Sequence, residues 1–328
     1  MKNKKKTVII IVSIVLVLGI VAGALAIHFT RFIKDKNDTE EFYRQNVASV
    51  NYENTVETAY PQTDLYGIIE NHFKSALPEG KTEKKVAVIG YDGCRADILA
   101  QKKENGAVSY LLANGASNNL TYCGGVNYPE KNTQDTSTAP GWCSILTGVW
   151  ADVHGITGNG ITKKVEPKTL VTSLVEDGTI DSSVFITKWN GHFTKNNSTY
   201  LDEKAYCEEN GINAEFMLRD GLKDVHTGAM EEIGKADCSD FVFIIYEDTD
   251  SAGHDTGFSF NNSLYKEGFA TEDAYGYEVI KAIEARETYA TEDWLIIVTS
   301  DHGGIGDGHG GASIQERMTF VVMNKEWN

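Results

Sequence analysis

The sequence predicts an α/β fold, a mainly parallel central sheet with helices on both faces, preceded by one N-terminal transmembrane helix. Three observations predict it. Short all-apolar runs at residues 86–90, 241–246 and 294–298 read as strands buried on both faces. Segments of helical period separate them, as a parallel sheet requires. Acidic residues, Asp92, Asp250 and Asp301, fall just beyond the three runs, at the carboxyl ends where such sheets place their ligands.

The apolar N-terminus comes first in the chain. Lys2, Lys4, Lys5 and Lys6 precede residues 8–27, a run whose one polar side chain is Ser13, and about 20 such residues cross a bilayer. The lysines keep that end in the cytoplasm, so the chain after Thr30 is expected outside. Ala24-Leu25-Ala26 resembles a signal-peptidase site, yet the run exceeds an ordinary signal core. A retained single-pass anchor in the cell membrane is the expectation, with secretion after cleavage as the alternative. The organisation that follows is a tail and anchor at 1–33, a charged stalk and packing helix at 34–80, and a catalytic domain at 81–328.

Within the exported part, Leu65, Ile68, Ile69 and Phe73 have helical spacing over residues 64–76, and Pro78-Glu79-Gly80 ends that helix. Gly115 closes a helix containing Leu111 and Leu112. Residues 170–176 read as a helix, 183–187 as a strand, 272–286 as an amphipathic helix and 320–323 as a last strand.

Composition narrows the function. The chain has 328 residues, 41% of them hydrophobic, with 31 glycines and five prolines, which suits a globular protein with a large core. Beyond the N-terminal segment, 25 basic side chains face 47 acidic ones. Such a surface repels extended nucleic acid, whereas a small phosphorylated substrate held by cations is compatible with it. Nothing in the composition sets an oligomeric state. Five cysteines without a close pair allow at most one or two disulfides and exclude a zinc finger.

The chemistry centres on Thr136-Ser137-Thr138-Ala139-Pro140-Gly141-Trp142. Pro140 suits the first turn of a helix, which puts the Thr138 hydroxyl just ahead of the helix start, where free N–H groups and the dipole favour an anion. Alone, Thr138 would read as an N-cap. It is not alone: Asp250 and His254, Asp301 and His302, and His309 in a glycine-rich loop supply carboxylates and imidazoles near the same edge. Three converging carboxylates repel one another unless cations lie between them. Mixed Asp and His ligation suits Zn2+ best, with Mn2+ as the competitor.

These segments, Val88-Ile89-Gly90-Tyr91-Asp92-Gly93, Thr138-Ala139-Pro140 through His154-Gly155 to Asn159, Asp250 to His254, and Ser300-Asp301-His302-Gly303-Gly304 with His309, resemble the ordered motifs of the alkaline phosphatase superfamily. The nearest branch is the type I phosphodiesterase and nucleotide pyrophosphatase group, and the likeness spans residues 86 to 311. The resemblance implies an alkaline phosphatase-like fold and two zinc ions. One would be held by Asp250, His254 and His309, the other by Asp92, Asp301 and His302 with Thr138 completing it. It also implies Thr138 as nucleophile through a phosphothreonine, and Asn159 as a contact to a phosphate oxygen.

Departures bear on the substrate. Trp142 stands where sulfatases of the superfamily carry Arg. Lys188-Trp189-Asn190 lacks the Arg of a K-x-R found in certain monoesterases, which leaves Lys188 as a further phosphate contact to consider. Tyr91, Trp142 and Trp189 are candidates for a stacking wall or for ordinary packing, and Cys94 and Cys143 read as buried thiols. The expected activity is hydrolysis of phosphodiester or pyrophosphate bonds. The alternatives are a phosphomonoesterase or phosphonate hydrolase of the same superfamily, and a non-catalytic surface binding protein.

Overall fold

The computed structural model describes residues 2–46, 59–124, 134–160, 164–194 and 198–327. The chain divides into two units, Met1–Ala48 and Ser49–Asn328. In the first, one helix, α1, covers Lys2–Asn46, and the charged residues 34–41 continue it. Its stretch Ile10–Thr39 is long and apolar enough to cross a membrane, a test that a signal sequence also passes.

The second unit is built on an eight-stranded sheet. In chain order its elements are β1 (Tyr60–Pro61), α2 (Asp64–Lys74), β2 (Glu83–Tyr91), α3 (Ala107–Ala113), β3 (Ser117–Tyr122), α4 (Thr138–Thr147), α5 (Ala151–His154), α6 (Leu170–Glu176), β4 (Ser183–Thr187) and α7 (Leu201–Asn210). There follow β5 (Ala214–Leu218), α8 (Leu222–Gly234), β6 (Phe241–Tyr246), α9 (Asp248–Thr256), α10 (Ser263–Glu284), β7 (Glu292–Thr299), α11 (Ile314–Arg317) and β8 (Met318–Met323). The strand order is β1-β3-β8-β7-β2-β6-β4-β5. All pairs are parallel except β3 with β8 and β7 with β8.

Side-chain alternation in β2 explains the two layers. Val86 and Val88 enter the core cluster that holds Leu65 and Ile69 of α2, Trp142 and Ile145 of α4, and Leu170 of α6. Ile89 and Tyr91 point the other way, against Gly276 of α10. A strand with helices on both faces must be apolar at every position, which is why β2 and β6 read as unbroken hydrophobic runs. Burying each such side chain contributes roughly 1.5–3 kcal/mol.

Register then places the chemistry. Gly90 of β2 lies opposite Ile245 of β6 and Thr299 of β7, so the three central strands end level with one another. Asp92, Glu247 and Asp301 therefore leave the sheet at one edge.

Candidate active site

Thr138 opens α4, and Ser137 rather than Thr138 occupies its N-cap position, without a side-chain capping bond. The helix end is almost wholly buried, with Thr138 6% exposed. The Thr138 hydroxyl donates to Asp92 Oδ1 at 3.3 Å. Asp92 Oδ2 accepts from the Trp142 indole N–H at 2.9 Å, one turn along the same helix. Nucleophile candidate and carboxylate are thus held to each other through α4.

Asp301 is fixed from the neighbouring strand, its Oδ1 accepting from Gly93 N–H at 3.2 Å. His302 Nε2 lies 3.5 Å from Asp92 Oδ1 and 3.5 Å from Asp301 Oδ2. Asp250 and His254 sit four residues apart on α9, where helical geometry puts them on one face. The N-terminus of α9 is capped from α10, because Glu272 accepts from Asp248 N–H at 2.6 Å and Thr249 N–H at 3.1 Å. His309 returns on its loop through a bond between Nδ1 and the Thr136 carbonyl, 3.0 Å.

Two triads of ligand atoms result, Asp92 with Asp301 and His302, and Asp250 with His302 and His309. The second differs from the expected grouping in drawing on His302. His254 approaches it closely, its Nε2 being 3.4 Å from Asp250 Oδ2 and 3.0 Å from His309 Nε2.

These residues fit metal ions. His302, His254 and His309 each pair Nδ1 with a backbone carbonyl, of Gly303, Asp307 and Thr136 respectively. With the N–H committed there, each neutral ring would turn its Nε2 lone pair toward the clustered ligand atoms, the tautomer that a metal-binding histidine needs. Two such lone pairs 3.0 Å apart, His254 facing His309, require a proton or a cation between them. Asp250 Oδ1, Asp301 Oδ2 and His302 Nε2 are buried without a hydrogen-bond partner, which is costly unless a cation satisfies them.

The protonation equilibria of the metal-free protein point the same way. Burial, then the charge of Asp92, pushes Asp301 well above the usual carboxylate range. Burial opposes charge on His302, but Asp301 and Asp92 outweigh it and raise its pKa to about 10. The hydrogen bond to Asp250 raises His254 to about 9, while burial and the charge of His302 hold His309 at about 3. Protons occupy the positions that cations would take.

Asn159 faces the same cleft, its Oδ1 accepting from Ala139 N–H at 2.8 Å, which leaves the amide NH2 to donate. The cleft has a volume of ≈ 350 Å³ and is lined by Asp92, Thr138, Asn159, Asp250, Ser251, His254 and His309 together with Lys188, Trp189, Asn190 and Glu247. Of the three aromatic candidates only Trp189 lines it. Tyr91 and Trp142 are fully buried in the sheet layers, where Tyr91 OH donates to Asp273, so they form no stacking wall. All five cysteines are free and buried, with no disulfide. Glu247 was not singled out as a site residue from the sequence. The signal was present, since it follows an all-apolar strand as Asp92 does.

A family model described as type I phosphodiesterase / nucleotide pyrophosphatase matches residues 86–306. The chain belongs to this family. That stretch runs from the start of the apolar part of β2 to the loop before His309, and so takes in Asp92, Thr138, Asn159, Asp250, His254, Asp301 and His302. Solved structures of similar fold include murine ectonucleotide pyrophosphatase / phosphodiesterase 5, 20% identical with a TM-score of 0.46, over 67% of this chain and 57% of that one. An inactive variant of the murine protein in complex with AMP is 19% identical with a TM-score of 0.46, over 68% and 57%. The alkaline phosphatase of the Antarctic bacterium TAB5 is 14% identical with a TM-score of 0.44, over 74% and 91%. The chain thus spans little more than half the length of the murine protein. No curated protein matches the sequence.

Proposed function

We propose that this member of the family hydrolyses phosphodiester or pyrophosphate bonds in small phosphorylated substrates, nucleotides among them, with Thr138 as nucleophile and two zinc ions. Its site would work outside the cytoplasm, the α1 helix serving as anchor. The observation that carries the reading is the Thr138 hydroxyl, 3.3 Å from Asp92 at a helix N-terminus, beside two clusters of unsatisfied carboxylate and imidazole atoms.

Asp250, His254 and His309 would hold one cation and Asp92, Asp301 and His302 the other, with His302 close to both. Bound there, divalent cations would ease ionisation of the nucleophile and neutralise charge on the departing oxygen. The chain supplies orientation. Asp92 accepts the Thr138 hydroxyl and is itself held by Trp142, so the nucleophile's approach to phosphorus is set by α4. Thr138 Oγ forms a bond to phosphorus as the bond to the leaving oxygen breaks, giving a phosphothreonine and releasing the first product. Water then attacks phosphorus, the bond to Thr138 breaks, and the second product leaves as a phosphate monoester or phosphate. The Asn159 NH2 donates to a non-bridging oxygen throughout, where negative charge accumulates, and the positive end of the α4 dipole favours the same charge.

The test is hydrolysis of bis-p-nitrophenyl phosphate and p-nitrophenyl phosphate by the full chain in detergent, with zinc, with chelator, and with Thr138→Ala. Zinc-dependent and Thr138-dependent turnover, faster on the diester, is expected. Turnover that survives Thr138→Ala would refute the nucleophile assignment, and zinc binding without hydrolysis of either ester would favour a binding protein.

A further inference from the structure

Among the described residues that line the cleft there is one lysine, Lys188, and it is paired with a carboxylate. Lys188 follows β4, Asp248 opens α9 after β6, and the Lys188 ammonium pairs with Asp248 Oδ1 between these adjacent strand ends. Burial works against the ammonium and the hydrogen bond to Asp248 outweighs it. Both partners are anchored. Thr187 Oγ1 and Trp189 N–H, on either side of Lys188, donate to Glu247 Oε1 at 2.5 and 3.1 Å. Asp248 N–H donates to Glu272. Gly191 gives the turn its shape, since a Cβ there would lie 2.3 Å from the Trp189 ring. The pair is therefore held at the cleft by the backbone rather than swinging free in solvent.

We propose that Lys188 and Asp248 form a charge-matching pair that sets this site to prefer a phosphoryl group with one negative charge over a group with two. The inference rests on the phosphodiesterase reading and names its substrate class by charge. A diester brings a single charge to the cleft, and the clusters beside Thr138 are arranged to receive it. A monoester dianion brings a second charge, which gains only if a cation is free to meet it. Lys188 is the one Lys or Arg side chain among the described residues of the cleft, and Asp248 cancels it. Removing the Asp248 charge leaves the ammonium without its hydrogen-bonded partner, with the carboxyls of Glu247 and Glu272 still acting on it, and 22% exposed at the side chain so that it is incompletely screened.

The experiment compares kcat/KM for bis-p-nitrophenyl phosphate and p-nitrophenyl phosphate in the wild type, Asp248→Asn, Asp248→Ser, Lys188→Gln and the Lys188→Gln/Asp248→Asn double variant. Either Asp248 variant should raise the monoester-to-diester ratio by about tenfold, and the double variant should return it to near the wild-type value. A second arm reads binding without turnover: calorimetry of inorganic phosphate and of dimethyl phosphate on the zinc-loaded Thr138→Ala chain, with and without Asp248→Asn. Phosphate should tighten and dimethyl phosphate stay unchanged. A ratio unmoved in both Asp248 variants, a gain that persists without Lys188, or equal tightening of both ligands would overturn the proposal. If no chain hydrolyses either ester while phosphate binding responds as expected, the phosphodiesterase reading fails and the charge pair stands.

Discussion

Replacing Gly93 by alanine should slow turnover about 100-fold while leaving the chain folded. Gly93 follows Asp92 and has φ +64°, and a Cβ built there lies 2.7 Å from Asp250 Cβ and 2.9 Å from Asp250 Cα. Non-bonded carbons settle at about 3.5–4.0 Å, so the β2 turn and the start of α9 must part by about 0.6–1.3 Å. The left-handed conformation adds roughly 1–2 kcal/mol for a residue with a Cβ, tolerable against a typical stability of about 5–15 kcal/mol. The contact falls on backbone, which no rotamer change relieves, so Asp250 is displaced from the cluster it shares with His302 and His309. A misplacement of about 1 Å at a reacting centre costs about 100-fold. The assay is kcat on bis-p-nitrophenyl phosphate with zinc content measured alongside, and circular dichroism to confirm folding. Wild-type turnover and full zinc content in a folded Gly93→Ala chain would refute the reasoning, because the two ligand-bearing turns would then be independent.

Other outcomes follow from single contacts. Thr138→Ala should lower diester turnover by about 1,000-fold or more, with Thr138→Ser recovering part of it, and equal losses in both would argue against nucleophilic attack. Trp142→Phe removes the hydrogen bond to the Asp92 carboxylate, worth about 1.5–3 kcal/mol, so calorimetry of the metal-free chain should find its melting temperature lowered by about 3–12 °C. His154 is fully buried and takes the Ile156 N–H on Nδ1 at 3.1 Å with Ser144 on Nε2, an arrangement only the neutral ring allows. Burial lowers its pKa to about 4. A histidine depressed in the folded state leaves stability intact above its unfolded pKa near 6.5 and removes it as pH falls toward 4, by about 3 kcal/mol. Denaturant midpoints at pH 7 and pH 4.5 should show this loss, and it should shrink in His154→Gln. Metal uptake at pH 7 should release protons, since His302 and His254 titrate near 10 and 9 in the metal-free chain. Calorimetry in two buffers of different ionisation enthalpy measures that release, and uptake without it would contradict the ligand assignment.

Much of the fold was legible because its signals are local. Residues 170–176, 183–187 and 241–246 form the expected helix and strands at the expected bounds, since period and composition inside a short segment decide its state. The helix expected from 272 begins at Ser263 instead, where Asn262 caps it by accepting from Leu264 N–H. A capping residue inside a polar stretch carries little periodic signal. Strands β3 and β5 were not anticipated, because Ser117-Asn118-Asn119 and Glu215 interrupt the apolar pattern of strands toward the ends of the sheet.

The sequence by itself determined which carboxylates would stand at the ends of the central strands. Asp92 and Asp301 come just after apolar strands, and the carboxyl ends of parallel strands lie along one edge of the sheet whatever their order. Tertiary structure decided the rest. Level registry of β2, β6 and β7 brought Glu247 to the same edge, and the fold of α9 put Asp250 and His254 on one face. The helical layers on the two faces of the sheet took Tyr91 and Trp142 away from solvent, turning a candidate stacking residue, Trp142, into the hydrogen-bond donor that holds Asp92. Long-range contacts also let His302 reach both clusters and paired Lys188 with Asp248 across 60 residues. Identity and spacing are properties of a segment; distance between segments depends on strand pairing and packing, which no single stretch of sequence encodes.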